Sequence, residues 1–279
     1  MTHAGTVAAT VDDRVPRVVW VGLVAFAFYV IVAAGGGLLI DALGAGEAGP
    51  VTELALTHLI PLPIAIAAGL VFARLSGWWH DIWTDAPLRG STPRRWWMWL
   101  VPVLLVVQIV ALFAEAPWAQ LSLSYILVGL VCYLLVGLGE ELFTRGILLE
   151  SVRAHHGETV TLLVTALAFG AAHSVGSGIS GVPVGTIAFQ IAVTAMDGVL
   201  FYAALRVTGT LWAPILLHGL GDYGRWLIAG DGADHTSGAD AITQTGLTLL
   251  SAAVLISVIL EDRRNRRRRE ITTSPTGNG

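Results

Sequence analysis

The stretch that organises this chain reads Gly137-Leu138-Gly139-Glu140-Glu141-Leu142-Phe143-Thr144-Arg145-Gly146. It closes an almost wholly apolar run, Leu121 to Leu138, with two adjacent carboxylates and an arginine. A charged side chain inside hydrocarbon costs at least ~2.5–3.5 kcal/mol on insertion scales, so such residues mark functional sites. We therefore expect the rest of the chain to be a scaffold that completes a site around this stretch.

Composition places the chain among membrane proteins. Of its 279 residues, 54% are hydrophobic and only 13% are charged, whereas a soluble domain has about 25% charged residues. The single Cys132 lies in an apolar run, which excludes a disulfide framework and a cysteine metal cluster. The first apolar run, Val18 to Ile40, is too long for the ~7–15-residue core of a cleavable signal peptide, so we expect it to stay as a span.

Eight apolar segments are long enough, or nearly so, to cross a bilayer. About 30 Å of hydrocarbon requires ~20 mainly apolar residues in a helix. The segments cover residues 18–41, 51–73, 96–114, 121–144, 159–175, 184–205, 210–229 and 241–260. The sequence thus predicts an all-α, polytopic membrane protein with about eight transmembrane helices.

Arginines sort the connections into two classes. They occur in the leader, in the tail and in every even-numbered loop, whereas residues 42–50, 115–120 and 176–183 contain no basic residue and 230–240 is acidic. Because cytoplasmic loops carry the excess of Lys and Arg, we predict that both termini are cytoplasmic. We expect an integral, multi-pass protein of a bacterial plasma membrane.

The chain divides into three predicted regions. Residues 1–95 hold a leader, two spans and a cytoplasmic loop rich in Trp and Arg, whose tryptophans are typical of an interfacial belt. Residues 96–260 hold the remaining spans and are expected to form one domain around the polar stretch, and 261–279 are expected to form a basic, disordered cytoplasmic tail. We expect this tail to touch the anionic leaflet of the bilayer rather than nucleic acid.

Two later spans carry polar pairs at the depth of Glu140. His173 and His218 lie, like Glu140, roughly 18–23 Å from the predicted cytoplasmic boundary at 1.5 Å per residue. A single buried His or Glu in a helix bundle is more often an interhelical hydrogen-bonding group than a catalyst. Three unusual polar groups at one depth, on three helices, favour a functional site.

Residues four apart share one face of a helix, so each pair should be in contact. Glu141 is expected to pair with Arg145, which leaves Glu140 as the free carboxylate. Phe169 is expected to pack against His173 and to restrict its rotamer. In the third pair, His218 and Asp222, the carboxylate would fix the imidazole tautomer. All three pairs have this spacing of four residues.

Such a set suits two kinds of chemistry. For amide hydrolysis, Glu140 would take a proton from water with help from His173, and His218 would stabilise the oxyanion. Alternatively Glu140, His173, His218 and Asp222 would be metal ligands, since N/O sets of this kind suit zinc. The H-E-x-x-H helix is absent from the sequence.

The three motifs together are similar to those of a known family. Glu140-Glu141-x-x-x-Arg145, Phe169-x-x-x-His173 and His218-x-x-x-Asp222 resemble the motif set of the CPBP intramembrane proteases. That family includes the CAAX prenyl endopeptidases and the Abi-type bacteriocin-processing and immunity proteins. The resemblance covers about residues 96–260, with a further likeness in Gly209-Thr210-Leu211-Trp212-Ala213-Pro214-Ile215-Leu216-Leu217-His218.

The resemblance implies roles by position. Glu140 and His173 would activate water, and Glu141 and Arg145 would support the site. His218 and Asp222 would serve the oxyanion; since some relatives have Asn at the last position and an ionised Asp cannot donate a hydrogen bond, Asp222 is either protonated or orients His218. The family has been described both as zinc-type metalloproteases and as metal-independent glutamate enzymes, so either cofactor state is implied.

The sequence thus predicts an intramembrane endopeptidase that acts on a membrane-associated protein or peptide, reached from the cytoplasmic half. Two other classes of protein are compatible with parts of this pattern. A non-catalytic immunity or regulatory protein would act by binding a partner and would tolerate Glu140→Gln. A small transporter would use midplane acids and histidines as a proton relay, but the chain has no inverted repeat to support it. Asp197 is a candidate cavity residue, and His58 is expected to be structural.

Overall fold

The computed structural model describes residues 13–85, 96–229 and 238–273. Within these ranges the chain is helical, with one isolated antiparallel bridge between Thr84 and Thr210. The long helices are α1 (Val19–Ala42), α2 (Pro50–Ser76), α3 (Trp96–Glu115), α4 (Leu123–Arg153), α5 (Glu158–His173), α6 (Val184–Thr208), α7 (Trp212–Ile228) and α8 (Gly238–Thr273). This confirms the predicted all-α class. Residues 86–95 of the predicted Trp- and Arg-rich loop lie outside the described ranges.

Each long helix corresponds to one predicted span, but the helices differ in length. Helices α1 to α4, α6 and residues 241–268 of α8 are long and apolar enough to cross a membrane. Helix α5 has 16 residues and α7 has 17, which at 1.5 Å per residue is about 25 Å, short of ~30 Å of hydrocarbon. The protein is therefore a polytopic membrane protein, whereas the count of eight spans and the cytoplasmic termini stay predictions.

Two of the long helices contain a wider π-helical turn. One interrupts α1 at Ile31–Gly35, and the other occupies Leu142–Leu148 of α4, directly after Glu141. Short π-helical segments inside α-helices frequently coincide with functional sites. The second one includes Arg145, so the motif Glu140-Glu141-x-x-x-Arg145 spans the junction between α-helical and π-helical geometry.

Helices α4 and α7 cross at unusually short range. A Cβ atom added to Gly137 would lie 2.5 Å from the carbonyl oxygen of Ile215 and 2.8 Å from the amide nitrogen of Gly219. A Cβ on Gly219 would lie 2.7 Å from the carbonyl oxygen of Tyr133. Small residues allow such backbone contact, which drives helix association where lipid is as apolar as leucine. This crossing brings the first and third motifs together.

Several arginines that indicated topology are also paired. The buried Asp85 carboxylate binds Arg206 at 2.6 Å and Arg153 at 3.2 Å. Arg153 also donates to Glu158, which accepts the hydroxyl of Tyr202. These bonds fasten the segment after the short helix Trp79–Trp83 to the ends of α4, α5 and α6.

A second group of charges holds the start of α1. Arg17 binds Asp81 at 2.6 Å, Asp13 at 2.9 Å and Glu150 at 3.3 Å. Burial lowers the pKa of Arg17, but its hydrogen bonds to Asp13 and Asp81 and their charges outweigh this and raise that pKa above its ordinary value. The leader is thereby joined to α4.

Two local predictions differ from the structure. Trp78 was expected in the interfacial belt, but it is fully buried and donates from Nε1 to the carbonyl of Val15. The tail was predicted to be disordered from residue 261, but α8 continues through Thr273; residues 274–279 lie outside the described ranges. The polar run Glu261 to Glu270 continues the helix because most of its residues are Arg and Glu, which are good helix formers.

Close crossing at Gly137 makes a prediction about stability. Gly137→Val places a branched side chain against the backbone of α7 and should lower the melting temperature by several degrees. The matched control is Gly35→Val, because a Cβ at Gly35 meets nothing within 4 Å. The sole cysteine, Cys132, is buried, so a thiol-reactive dye reports unfolding directly. Equal melting temperatures for the two variants would contradict the role of this crossing.

Candidate active site

A fully buried ion pair lies at the centre of the polar cluster. Arg145 Nη1 lies 2.9 Å from Glu141 Oε1, and both side chains have no exposed surface. The prediction that these residues pair is confirmed. Arg145 Nη1 also donates to the Thr144 hydroxyl at 2.7 Å, and its guanidinium carbon lies 4.3 Å from the ring centre of Phe169. The arginine is thus held by one carboxylate, one hydroxyl and an aromatic face.

Glu141 also binds the third motif. His218 Nδ1 lies 3.0 Å from Glu141 Oε1, the same oxygen that Arg145 contacts. The imidazole is 4% exposed and stacks on Phe201, with ring centres 4.6 Å apart and planes at 19°. Because a carboxylate oxygen only accepts hydrogen bonds, His218 Nδ1 must be the donor. This contact between α4 and α7 was not predicted from the sequence.

Glu140 points to the other two motifs. Its Oε2 lies 3.5 Å from His173 Nε2 and 3.8 Å from His218 Nε2. These separations exceed a hydrogen bond, and Oε2 is buried without a hydrogen-bond partner among the described residues. Such an atom normally has a partner, so an orphaned one indicates a site for water or ligand.

The orientation of His173 is set by its own helix. His173 Nδ1 lies 2.9 Å from the carbonyl oxygen of Phe169, and the two rings are 4.5 Å apart. The predicted packing of Phe169 on His173 is confirmed. A carbonyl only accepts, so Nδ1 carries the proton, and in the neutral ring Nε2 is left as an acceptor facing Glu140.

Asp222 lies against His218, as expected for residues four apart on one helix. Its Oδ2 lies 3.2 Å from His218 Nε2, and its Oδ1 accepts from Arg225 Nη1 at 3.3 Å. Both nitrogens of His218 therefore face carboxylates, an arrangement that a doubly protonated imidazolium satisfies. In this arrangement neither N–H of His218 is free for the oxyanion role that the sequence suggested.

Two cavities flank the cluster. One, of about 450 Å³, contains Glu140 and is walled by α1 and α2 as well as by α4 and α5. The other, of about 440 Å³, contains His218, Asp197 and Arg225. Phe169, His173 and Asp222 line both. The catalytic candidates thus separate two chambers of similar size, which together offer room on both sides of a peptide bond.

The two lesser candidates lie one in each cavity. Asp197 lines the second cavity and accepts from Gln244 Nε2 at 3.4 Å. His58 lines the first cavity, where its Nδ1 faces the carbonyl of Leu54 at 3.1 Å. That bond within α2 agrees with the structural role expected for His58.

The four candidate metal ligands are Glu140, His173, His218 and Asp222. Two imidazoles and two carboxylates have the chemistry of zinc ligands. Across residues 13–85, 96–229 and 238–273, however, no three His, Cys, Asp or Glu side chains form a group suited to hold a metal ion. Instead His218 Nε2 faces Asp222 Oδ2 at 3.2 Å, and His173 Nε2 faces Glu140 Oε2 at 3.5 Å. In this arrangement the four side chains pair with one another and do not converge on a common metal position.

Comparison with known families adds an independent observation. Residues 122–224 match the family model described as "Type II CAAX prenyl endopeptidase Rce1-like". This confirms the predicted resemblance over the matched residues. The matched segment contains every residue of the three motifs, while α1 to α3 and α8 lie outside it. Comparison with individual curated proteins gave no match.

The Rce1-like segment has one interaction whose loss should be costly. Arg145→Met leaves Glu141 as a buried carboxylate short of its cation, which costs about 3–5 kcal/mol in comparable cases. We expect a loss of this size in the free energy of unfolding, measured by denaturation in mild detergent. Arg266→Met is the control, because the Arg266 side chain is 65% exposed in its 3.3 Å pair with Asp262 and this pair should contribute at most ~1 kcal/mol. Equal stability of the two variants would contradict this account.

Proposed function

We propose that this protein is an intramembrane endopeptidase that hydrolyses a peptide bond of a membrane-associated protein or peptide, with Glu140 and His173 activating the water. The observation that carries the proposal is the 3.5 Å gap between Glu140 Oε2 and His173 Nε2. When His173 is neutral both atoms accept hydrogen bonds, and a group with two donors satisfies them together. A water molecule beside the two atoms, in contact with both, is such a group.

The reaction follows from this geometry. Glu140 takes a proton from the water as its oxygen attacks the carbonyl carbon of the substrate. The carboxylic acid so formed then gives that proton to the amine nitrogen as the C–N bond breaks. His173 holds the water through Nε2, since its Nδ1 is committed to the Phe169 carbonyl. Glu140 and His173 thereby act together, and neither residue can activate the water alone.

The remaining motif residues position this pair. Glu141 neutralises Arg145 and orients His218, and Asp222 holds the other nitrogen of His218. Because Glu141 has no exposed surface and its Oε1 contacts both Arg145 and His218, Glu140 is the motif carboxylate that is left to act on water. Substrate enters beside apolar side chains of α1 and α2 that line the Glu140 cavity, among them Phe26, Val30 and Leu62. An apolar or membrane-embedded segment suits such a wall.

Glu140→Gln tests the proposal without any assumption about the substrate. New protein N- and C-termini are compared in membranes of cells that express equal amounts of wild-type or variant protein. Because the amide cannot accept the proton of water, we expect the termini that depend on the wild type to disappear. Glu115→Gln, the same change at an exposed residue, should keep them. Matching profiles for wild type and Glu140→Gln would overturn the peptidase proposal and favour a protein that acts by binding a partner.

Metal dependence is tested on the same products. Purified wild-type protein is assayed on a peptide spanning the strongest Glu140-dependent cleavage site, with and without a chelator. The water-activation scheme proposed above contains no metal, so cleavage should continue. Loss of cleavage on chelation and recovery with zinc would instead assign Glu140, His173, His218 and Asp222 as candidate ligands.

A second comparison separates the two histidines of the Glu140 cavity. His173→Ala removes the acceptor that holds the water and should lower kcat by about 10²–10⁴, the range typical of general acid–base groups. His58→Ala changes an imidazole in the same cavity that bonds to its own helix, so its effect on kcat should be below threefold. The measurement is cleavage of the same peptide. Equal losses would indicate that the cavity tolerates no change, and not that His173 acts on water.

A further inference from the structure

The cavity that contains Glu140 is walled in part by helices outside the Rce1-like segment. Of these, α1 brings Tyr29 against the catalytic helix. A Cβ added to Gly139 would lie 2.8 Å from the Tyr29 ring and 2.9 Å from its hydroxyl oxygen. The ring stacks on Phe143, with centres 4.9 Å apart and planes at 25°. Tyr29 is 5% exposed, so its position beside Glu140 is fixed by packing.

The hydroxyl of Tyr29 differs from those of the tyrosines outside the cavity. The chain has five tyrosines. Tyr125 donates to the carbonyl of Trp226, Tyr223 to that of Ile126, and Tyr202 to Glu158. In the described part of the chain, the hydroxyls of Tyr29 and Tyr133 have no hydrogen-bond partner, and both residues line the Glu140 cavity. Neither hydroxyl is among the buried side-chain atoms that lack a hydrogen-bond partner, so both face open space in the cavity.

Position separates the two cavity tyrosines. Tyr29 packs on Gly139 and Phe143, which lie on either side of Glu140 in α4. The ring of Tyr133 lies instead beside His58 and Trp226, with ring centres 6.3 and 5.9 Å away. Tyr29 thus lies on the flank of the proposed base. Glu140 Oε2 and the free nitrogen of neutral His173 are acceptors, and both nitrogens of His218 face carboxylates. The site therefore needs a donor for an oxyanion, and Tyr29 offers one.

We propose that the Tyr29 hydroxyl donates the hydrogen bond that stabilises the oxyanion of the tetrahedral intermediate, a role that rests on the peptidase function proposed above. As the water oxygen bonds to the carbonyl carbon, its proton passes to Glu140 and the π pair moves onto the carbonyl oxygen. Tyr29 donates to that oxygen and keeps its own proton. The carbonyl then re-forms, the C–N bond breaks, and the amine takes the proton from Glu140.

Tyr29→Phe tests this role, because it removes one oxygen and keeps the ring that stacks on Phe143. The probe is the synthetic peptide spanning the strongest Glu140-dependent cleavage site, cleaved by the purified full-length protein. We expect kcat to fall about 10²–10³-fold, the effect of losing one oxyanion donor, while KM stays within twofold. Rates are referred to the folded fraction, which the dye reaction of buried Cys132 reports, so a loss of stability does not pass for a loss of catalysis.

Two matched variants complete the design. Tyr133→Phe removes the other unpartnered hydroxyl of the cavity, and Tyr125→Phe removes one that donates to Trp226 at 2.6 Å; both should keep kcat within threefold. A kcat for Tyr29→Phe within threefold of wild type, or a large loss for Tyr133→Phe instead, would overturn the inference. In either case, the proposed peptidase function remains supported if Glu140→Gln is inactive. If Glu140→Gln cleaves like wild type, the proposed function fails, and the role of Tyr29 with it.

Discussion

The buried pair of Glu141 and Arg145 is the constraint on which the site depends. An isolated charge in a membrane interior is so costly that the arginine needs its carboxylate and the carboxylate needs its donors. Glu141 meets that need with Arg145 on its own helix and His218 on α7, while Phe169 of α5 covers the guanidinium. One pair of charges therefore fixes three helices relative to one another, and the position of Glu140 follows from theirs.

The parts of this structure that follow a periodic pattern could be predicted from the sequence. Apolar runs of membrane length gave the helices, because hydrocarbon admits little else. Spacing of four residues gave the contacts of Glu141 with Arg145 and of Phe169 with His173, because one helix supplies both partners. Equal predicted depth indicated that the three motifs lie at one level, and Glu140 does lie 3.5 Å from His173 and 3.8 Å from His218. Each of these inferences needs only the geometry of a single helix and the thickness of a bilayer.

The parts that depend on how helices rotate and pack could not be predicted in this way. The contact of His218 with Glu141 joins residues 77 positions apart, and it changes the role open to His218. Trp78 was predicted to be one of several interfacial tryptophans, but the fold buries it against the leader. The arginines of the loops were informative as charges, but their pairing with Asp85 requires the loop to fold back onto the helix ends. Tyr29 is one tyrosine in an apolar run and had no local signal at all.

The division of the Glu140 cavity between two parts of the chain has a consequence for evolution. Residues of the Rce1-like segment supply the acid and the imidazoles, whereas α1 and α2 supply much of the wall that a substrate would touch. Under the proposed peptidase function, substitutions in that wall can alter which peptides are accepted without changing the buried charges, which tolerate little change. Under the proposed function, selection can then act on substrate choice at wall residues other than Tyr29 while the residues of the reaction stay unchanged. A lineage that keeps one reaction can thus diversify its targets through substitutions in its first two membrane helices.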